Sequence, residues 1–162
     1  LASGLPQLLA LAKGAARAEA RGWHGLGWTG PGEVEAAAWL RGRRHPYDVI
    51  LEDLTVPGPH GATKPATSLE ALPALLPRAL APGGMAIVNV LPAPGLTWDA
   101  LLDRLAGDAP AVQVVHCGDF VNRVLLTGEK LPNARTTASM LRTALRRISS
   151  RQQARITVER RA

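Results

Sequence analysis

The chain has 162 residues, 46% of them hydrophobic and 20% charged, enough for one globular domain with a substantial core. No apolar run approaches the roughly 18–20 residues that a membrane-spanning helix needs, and the single cysteine, Cys117, excludes an internal disulfide framework and suits a reducing, intracellular compartment. The net charge of +6 comes mainly from arginine, 16 of the 19 basic residues, which fits a polyanionic partner as well as the composition of a GC-rich genome.

Residues 5–21 have the spacing of an amphipathic helix, with Leu5, Leu8, Leu9 and Ala12 on one face and Lys13, Arg17 and Arg21 off it. Pro6 suits its first turn and Gly22 its end. Residues 23–28 alternate large and small side chains as a short strand would. A second helix is predicted over 31–41, with Glu33 and Glu35 in its first turn and basic residues at its end. Residues 47–54 read as a strand whose Val-Ile-Leu run is apolar on both faces, as a strand covered on two sides requires.

Residues 67–80 read as a helix with Thr67 or Ser68 as N-cap and a buried stripe of Leu69, Leu72, Leu75, Leu76 and Leu80. Pro73 and Pro77 predict a kink or a break in it. A buried strand over 85–91 and a helix over 98–105 follow. Strands over 111–117 and 123–127 are spaced for an antiparallel hairpin. A strongly basic helix is predicted over 136–150, and the tail QARITVER alternates like a short exposed strand. The order gives an α/β fold, with a βαβ unit over 47–90.

Chemistry-bearing clusters are sparse. His24, His45, His60 and His116 have no metal-ligand spacing, and no Cys-x-x-Cys pair exists. His116 and Cys117 are neighbours on a strand and point to opposite faces, against a Cys–His nucleophile pair. Glu52 and Asp53 alternate in the same way. Gly25-Leu26-Gly27-Trp28-Thr29-Gly30 spells G-x-G-x-x-G, but without a strand of useful length before it, and reads as a turn-rich connection. Arg142, Arg146, Arg147, Arg151 and Arg155 form a basic series beside an apolar stripe of Met140, Leu141, Leu145 and Ile148, fit for a partner protein, an anionic surface or phosphates.

The run Tyr47-Asp48-Val49-Ile50-Leu51-Glu52-Asp53-Leu54-Thr55-Val56-Pro57-Gly58-Pro59 resembles the pattern YDVIIVDSSDPxGP of spermidine synthase-like proteins of the class I methyltransferase fold. Leu80-Ala81-Pro82-Gly83-Gly84 resembles their later LxPGG turn, and Asn122-Arg123-Val124-Leu125-Leu126 their closing strand. Leu1-Ala2-Ser3-Gly4-Leu5-Pro6-Gln7-Leu8-Leu9-Ala10 is similar to VExDPxVLxLA, the end of the family's second strand. The resemblance covers about residues 1–130. It implies a partial Rossmann-like methyltransferase fold, a mostly parallel sheet ending in an antiparallel hairpin, with helices on both faces. Residues 131–162 would then be a basic helix and tail extension.

The family places an aspartate before the loop proline to take a proton from the attacking amine; Val56 stands there. The family's glycine-rich cofactor turn has no counterpart in this chain, and Ser3 and Leu5 stand where acids are expected. Under the resemblance Glu33, Asp53 and Leu54 are vestiges of a cofactor site. Glu33 or Glu35 would stand for the adenine-side acid, although first-turn glutamates facing a helix dipole are the other reading, and Asp53 also fits as a loop cap.

Three functions remain open on this basis. One is a non-catalytic structural or accessory subunit of a larger assembly, without a catalytic residue, metal or cofactor, whose open sheet edge is covered by other protein subunits or a second copy. The second is an enzyme seen as its C-terminal part, using S-adenosylmethionine for methyl transfer or decarboxylated S-adenosylmethionine for aminopropyl transfer. The third is a nucleic-acid-associated module. The start at Leu1 rather than methionine leads us to expect a longer product or a removed leader, and a removed leader would leave a mitochondrial address open.

Overall fold

The computed structural model describes residues 36–42, 45–58 and 61–161. The expectations for 5–21, 23–28, the glycines of 25–30, Glu33 and Glu35 lie outside these residues. In chain order the elements are α1 (Ala36–Gly42), β1 (Tyr47–Glu52), β2 (Val56–Gly58), β3 (Gly61–Thr63), α2 (Ala66–Glu70), α3 (Leu72–Ala79), β4 (Leu80–Val90), α4 (Trp98–Ala106), β5 (Ala111–Cys117), β6 (Arg123–Gly128), α5 (Ala134–Arg147), a 3-10 turn (Arg151–Arg155) and β7 (Ile156–Arg161).

Five strands form one mixed sheet in the order β1-β4-β6-β5-β7, and β2 and β3 form a separate small hairpin. The helical crossover through α2 and α3 returns the chain parallel to β1, so β1–β4 is a parallel pair. The tight connection after β5 forces the opposite outcome: β6 runs antiparallel to both β5 and β4. β7 is antiparallel to β5. Among the described strands the sheet is therefore mixed rather than mostly parallel, because the closing hairpin inserts β6 between β4 and β5. Nor does that hairpin form the edge, since the basic tail adds β7 outside it.

Strand alternation divides the sheet into two unlike faces. On one, Ala86, Val88 and Val90 of β4, Leu125 of β6 and Val112 and Val114 of β5 pack with Leu40 of α1, Leu72 and Leu76 of α3, and Leu101, Leu102 and Leu105 of α4. This is the core, and each of its helices supplies an apolar stripe at helical spacing. The proline-driven break falls at Ala71, between α2 and α3. Pro73 has no N–H to give to the Leu69 carbonyl four residues back, and Arg104 Nε of α4 donates to that carbonyl instead, at 3.0 Å.

On the other face α5 covers only the β5–β7 end. Gln113 donates through Nε2 to the Pro132 carbonyl just before the helix, and Thr137 and Ala138 on the helix's inner side and Ile156 of β7 are buried. Asn133 caps α5, accepting from Thr136 N at 2.9 Å, three residues before the predicted start. No described helix covers the β1–β4–β6 part of this face. Val49 and Leu51 are 47% and 48% exposed, while Met85, Ile87, Val124 and Leu126 are half-buried. Among the described residues the apolar run of β1 is thus covered on one side only. β1 also pairs with β4 alone among the described strands, which leaves its outer edge without a ladder partner there.

The tail is held by more than its ladder. Arg161 reaches Asp99 at 2.9 Å and Asp103 at 2.7 Å, two carboxylates one turn apart on α4. The hydrogen bonds it donates to Asp99 and then Asp103 push the guanidinium pKa further up.

Candidate functional site

In open α/β sheets ligands meet the protein at the carboxyl ends of parallel strands. Here that place is where β1 runs into 53–55 and β4 into 91–92. Adjacent residues on a strand point to opposite faces, and Glu52 and Asp53 follow this rule, each entering a different polar network.

Glu52 turns to the core face and is buried. Its Oε2 accepts from Lys64 Nζ at 2.6 Å, and its Oε1 from Ser68 Oγ at 3.0 Å and Leu54 N at 2.8 Å. Lys64 also donates to the Leu54 carbonyl at 3.1 Å, and its side chain is 0% exposed. The carboxylate and the ammonium together hold both backbone polar groups of Leu54, its N–H and its C=O. They also fasten β1 to the foot of the β2–β3 hairpin and to α2. A buried charge pair is tolerable only when its remaining hydrogen-bonding capacity is met, and for Glu52 three donors do this.

The sequence predicts Thr67 or Ser68 as the helix cap. Instead α2 starts at Ala66 behind Pro65, with no side-chain cap, and the Ser68 hydroxyl serves Glu52. A proline at the cap position fixes φ and already ends the preceding extended segment. Neither the role of Lys64 nor that of Ser68 was foreseen. A lone lysine between Gly61 and Pro65 has the sequence setting of a solvated loop residue. The one available signal was an acid, Glu52, at the end of an otherwise apolar strand.

Asp53 faces the open side. Its Oδ1 accepts from Asn89 Nδ2 at 2.7 Å, and Asn89 Oδ1 accepts from Asn122 Nδ2 at 2.8 Å. The three side chains bridge β1, β4 and the β5–β6 connection. Arg123, the next residue, lies over the Trp98 ring at 4.3 Å. Leu54 is exposed and takes part through its backbone alone. Val56 opens β2, opposite Thr63, and brings no titratable group to the strand end. The site thus contains a bound-up carboxylate and a carboxylate–amide chain; the hydroxyl within reach of a carboxylate, Ser68 Oγ, is buried together with Glu52 rather than presented to a ligand.

A concavity of about 240 Å³ lies at the other end of the sheet, lined by Pro77, Pro82, Gly84, Pro110, Gly128 and Glu129 among others. Its lining offers few polar groups to orient a ligand. Among the described residues no group of three His, Cys, Asp or Glu side chains is placed to hold a metal ion, and no helix is long and apolar enough to cross a membrane.

The basic series is partly engaged within the chain. Arg142 Nη2 donates to the Ile156 carbonyl at 2.9 Å, and Arg155 pairs with Asp119. Arg146, Arg147 and Arg151 are exposed. His116 and Cys117 do alternate faces, pairing with Thr157 and Ile156. Burial pushes the Cys117 thiol up, and the Arg155 guanidinium offsets this in part. A disulfide reagent at pH 8 should therefore modify Cys117 several-fold more slowly than a solvated peptide thiol. Arg155→Ala should slow it again, and the gap should close as pH rises through the thiol's pKa. A rate equal to the peptide's at pH 8 would contradict this.

No family model, curated protein sequence or solved structure matches the chain.

Proposed function

We propose that the chain is a non-catalytic, methyltransferase-like structural or accessory subunit of a larger protein assembly, on the spermidine synthase-like plan. The observation that carries this reading is the commitment of Glu52 and Asp53 to side chains of the chain itself, at the strand ends where a ligand would otherwise find them. Val56 adds to it, being unable to accept a proton where the resembling family has its base. The parallel β1–β4 pair, with β6 antiparallel between β4 and β5, is in keeping with the plan. The exposed Val49 and Leu51, on a strand whose outer edge has no ladder partner among the described strands, supply surface for another subunit.

The test has two arms. Titration calorimetry with S-adenosylmethionine and with its decarboxylated form should give no saturable heat. In extract of the source cells the chain should run at a native mass well above that of one chain, and Leu51→Lys should shift it toward the monomer. Saturable cofactor binding would replace this reading with the enzyme, a methyl- or aminopropyltransferase. Salt-sensitive RNA or DNA binding, lost on reversing Arg146, Arg147 and Arg151 to glutamate, would replace it with the nucleic-acid module.

A further inference from the structure

We infer that the open face between β1 and α5 is the seat of one amphipathic helix with an acidic flank, supplied by a partner protein. The inference rests on the accessory-subunit reading and names the partner's chemistry. Its floor is the apolar β1–β4–β6 surface, where Val49 and Leu51 stand most exposed. A parallel strand pair is normally covered on both faces, and the core helices cover only one here.

The geometry of α5 supplies the wall. Thr137, Ala138, Leu141 and Leu145 form its inward stripe. Arg142 lies on one flank and donates to the carbonyl of Ile156, so that flank overlooks the outer edge of β7. At 100° per residue Met140, Ala144 and Ile148 fall on the opposite flank, toward the middle of the sheet. All three are exposed, Met140 at 61% and Ile148 at 47%. A one-turn-spaced apolar row on a helix that otherwise presents arginine to water is unexplained by the packing among the described residues.

Width selects a helix. Three strand spacings of about 4.8 Å separate β5 from β1, giving roughly 14 Å of floor beside α5. Side-by-side helices need about 8–10 Å, so one further helix fits and a second does not. Charge selects its flank. Arg147 lies beside Met140 on the same side of α5, and Arg151 opens the 3-10 turn that follows the helix. Both are exposed, and neither has a carboxylate partner among the described residues. Carboxylates along the incoming helix would meet both arginines, whereas a basic flank would be repelled.

The experiment uses the full chain with Cys117→Ser and Leu51→Cys, and reads the rate of maleimide labelling. The probe is a Leu/Ala/Glu amphipathic peptide about five turns long, with a Lys-for-Glu peptide as comparison. The new thiol should label readily, and the acidic peptide should protect it at saturation. Met140→Glu and Arg147→Glu should each weaken that protection roughly ten-fold in peptide concentration, with far-UV circular dichroism unchanged. The lysine peptide should not protect. Equal protection by both peptides, or none by the acidic one, overturns the proposal. So does a thiol that resists labelling in the chain alone: concentration-dependent resistance assigns the face to a second copy, and concentration-independent resistance to the chain's own residues. A high native mass alongside failed protection removes the acidic helix and leaves the accessory-subunit reading standing.

Discussion

Lys64→Met is expected to destabilise the fold by about 3–5 kcal/mol, the usual consequence of removing one member of a buried, hydrogen-bonded ion pair. The substitution leaves the Glu52 carboxylate away from water with two of its three donors, Leu54 N and Ser68 Oγ. It also strips the Leu54 carbonyl of its Lys64 donor. Glu52→Gln should cost a similar amount, because the Lys64 ammonium then sits fully buried beside a neutral amide. Joining the two changes removes both charges together. The double variant should therefore be no less stable than the worse single one, with a coupling of roughly 2 kcal/mol or more in the cycle. Urea unfolding read by circular dichroism measures all three, provided the slope is shared. Two single variants within about 0.5 kcal/mol of the parent, the range of ordinary surface changes, would show the pair to be solvated.

That same pair marks where sequence reasoning ran out. Periodicity was sufficient wherever a segment was long and its burial one-sided. The β5 and β6 strands and the α4 helix appear within a residue of their predicted positions, and the break forced by Pro73 falls two residues before it, but β4 begins five residues early and takes Leu80 from the predicted helix stripe into the strand. The β2–β3 hairpin escaped because three-residue strands rich in Gly and Pro carry no alternation to detect. Val49 and Leu51 misled in the opposite sense. An apolar run signals burial somewhere, yet it does not say whether the cover comes from this chain or another. Asn89, within an otherwise apolar strand, acquires meaning only when β1 brings Asp53 beside it. The ladder of β7 was hidden because its outward charges, Glu159 and Arg160, give it the look of a solvated tail, while Arg161 has two partners on α4 more than fifty residues away.

Gly84→Ala should be the most damaging single-methyl addition in the sheet. A Cβ there would lie 2.8 Å from the Tyr47 carbonyl oxygen, 3.0 Å from that of Ala81 and 3.0 Å from that of Asp48. All three are backbone atoms, which no rotamer change can move aside. Relief requires β1 to retreat from β4, at the only parallel pairing among the described strands. Gly128 makes the same approach from the other side, since a Cβ on it would meet the Gly84 carbonyl at 2.8 Å. Two glycines thus let three strands close on one another, which is the role glycine takes where backbones come near. Overpacking of this kind costs about 1–3 kcal/mol, and the tethering of β1 through Glu52 to α2 and the hairpin limits how far it can yield. Gly83 provides the internal comparison. Its φ of +78° favours glycine, but a Cβ there meets nothing within 4 Å, so Gly83→Ala should cost about 1–2 kcal/mol, the strain of a left-handed residue alone. Hydrogen exchange separates the two causes. Gly84→Ala should lose protection at the amides of Val49 to Leu51 along with global stability, whereas Gly83→Ala should leave them as protected as the rest of the sheet. Equal losses at those amides in both variants would remove the close-approach argument.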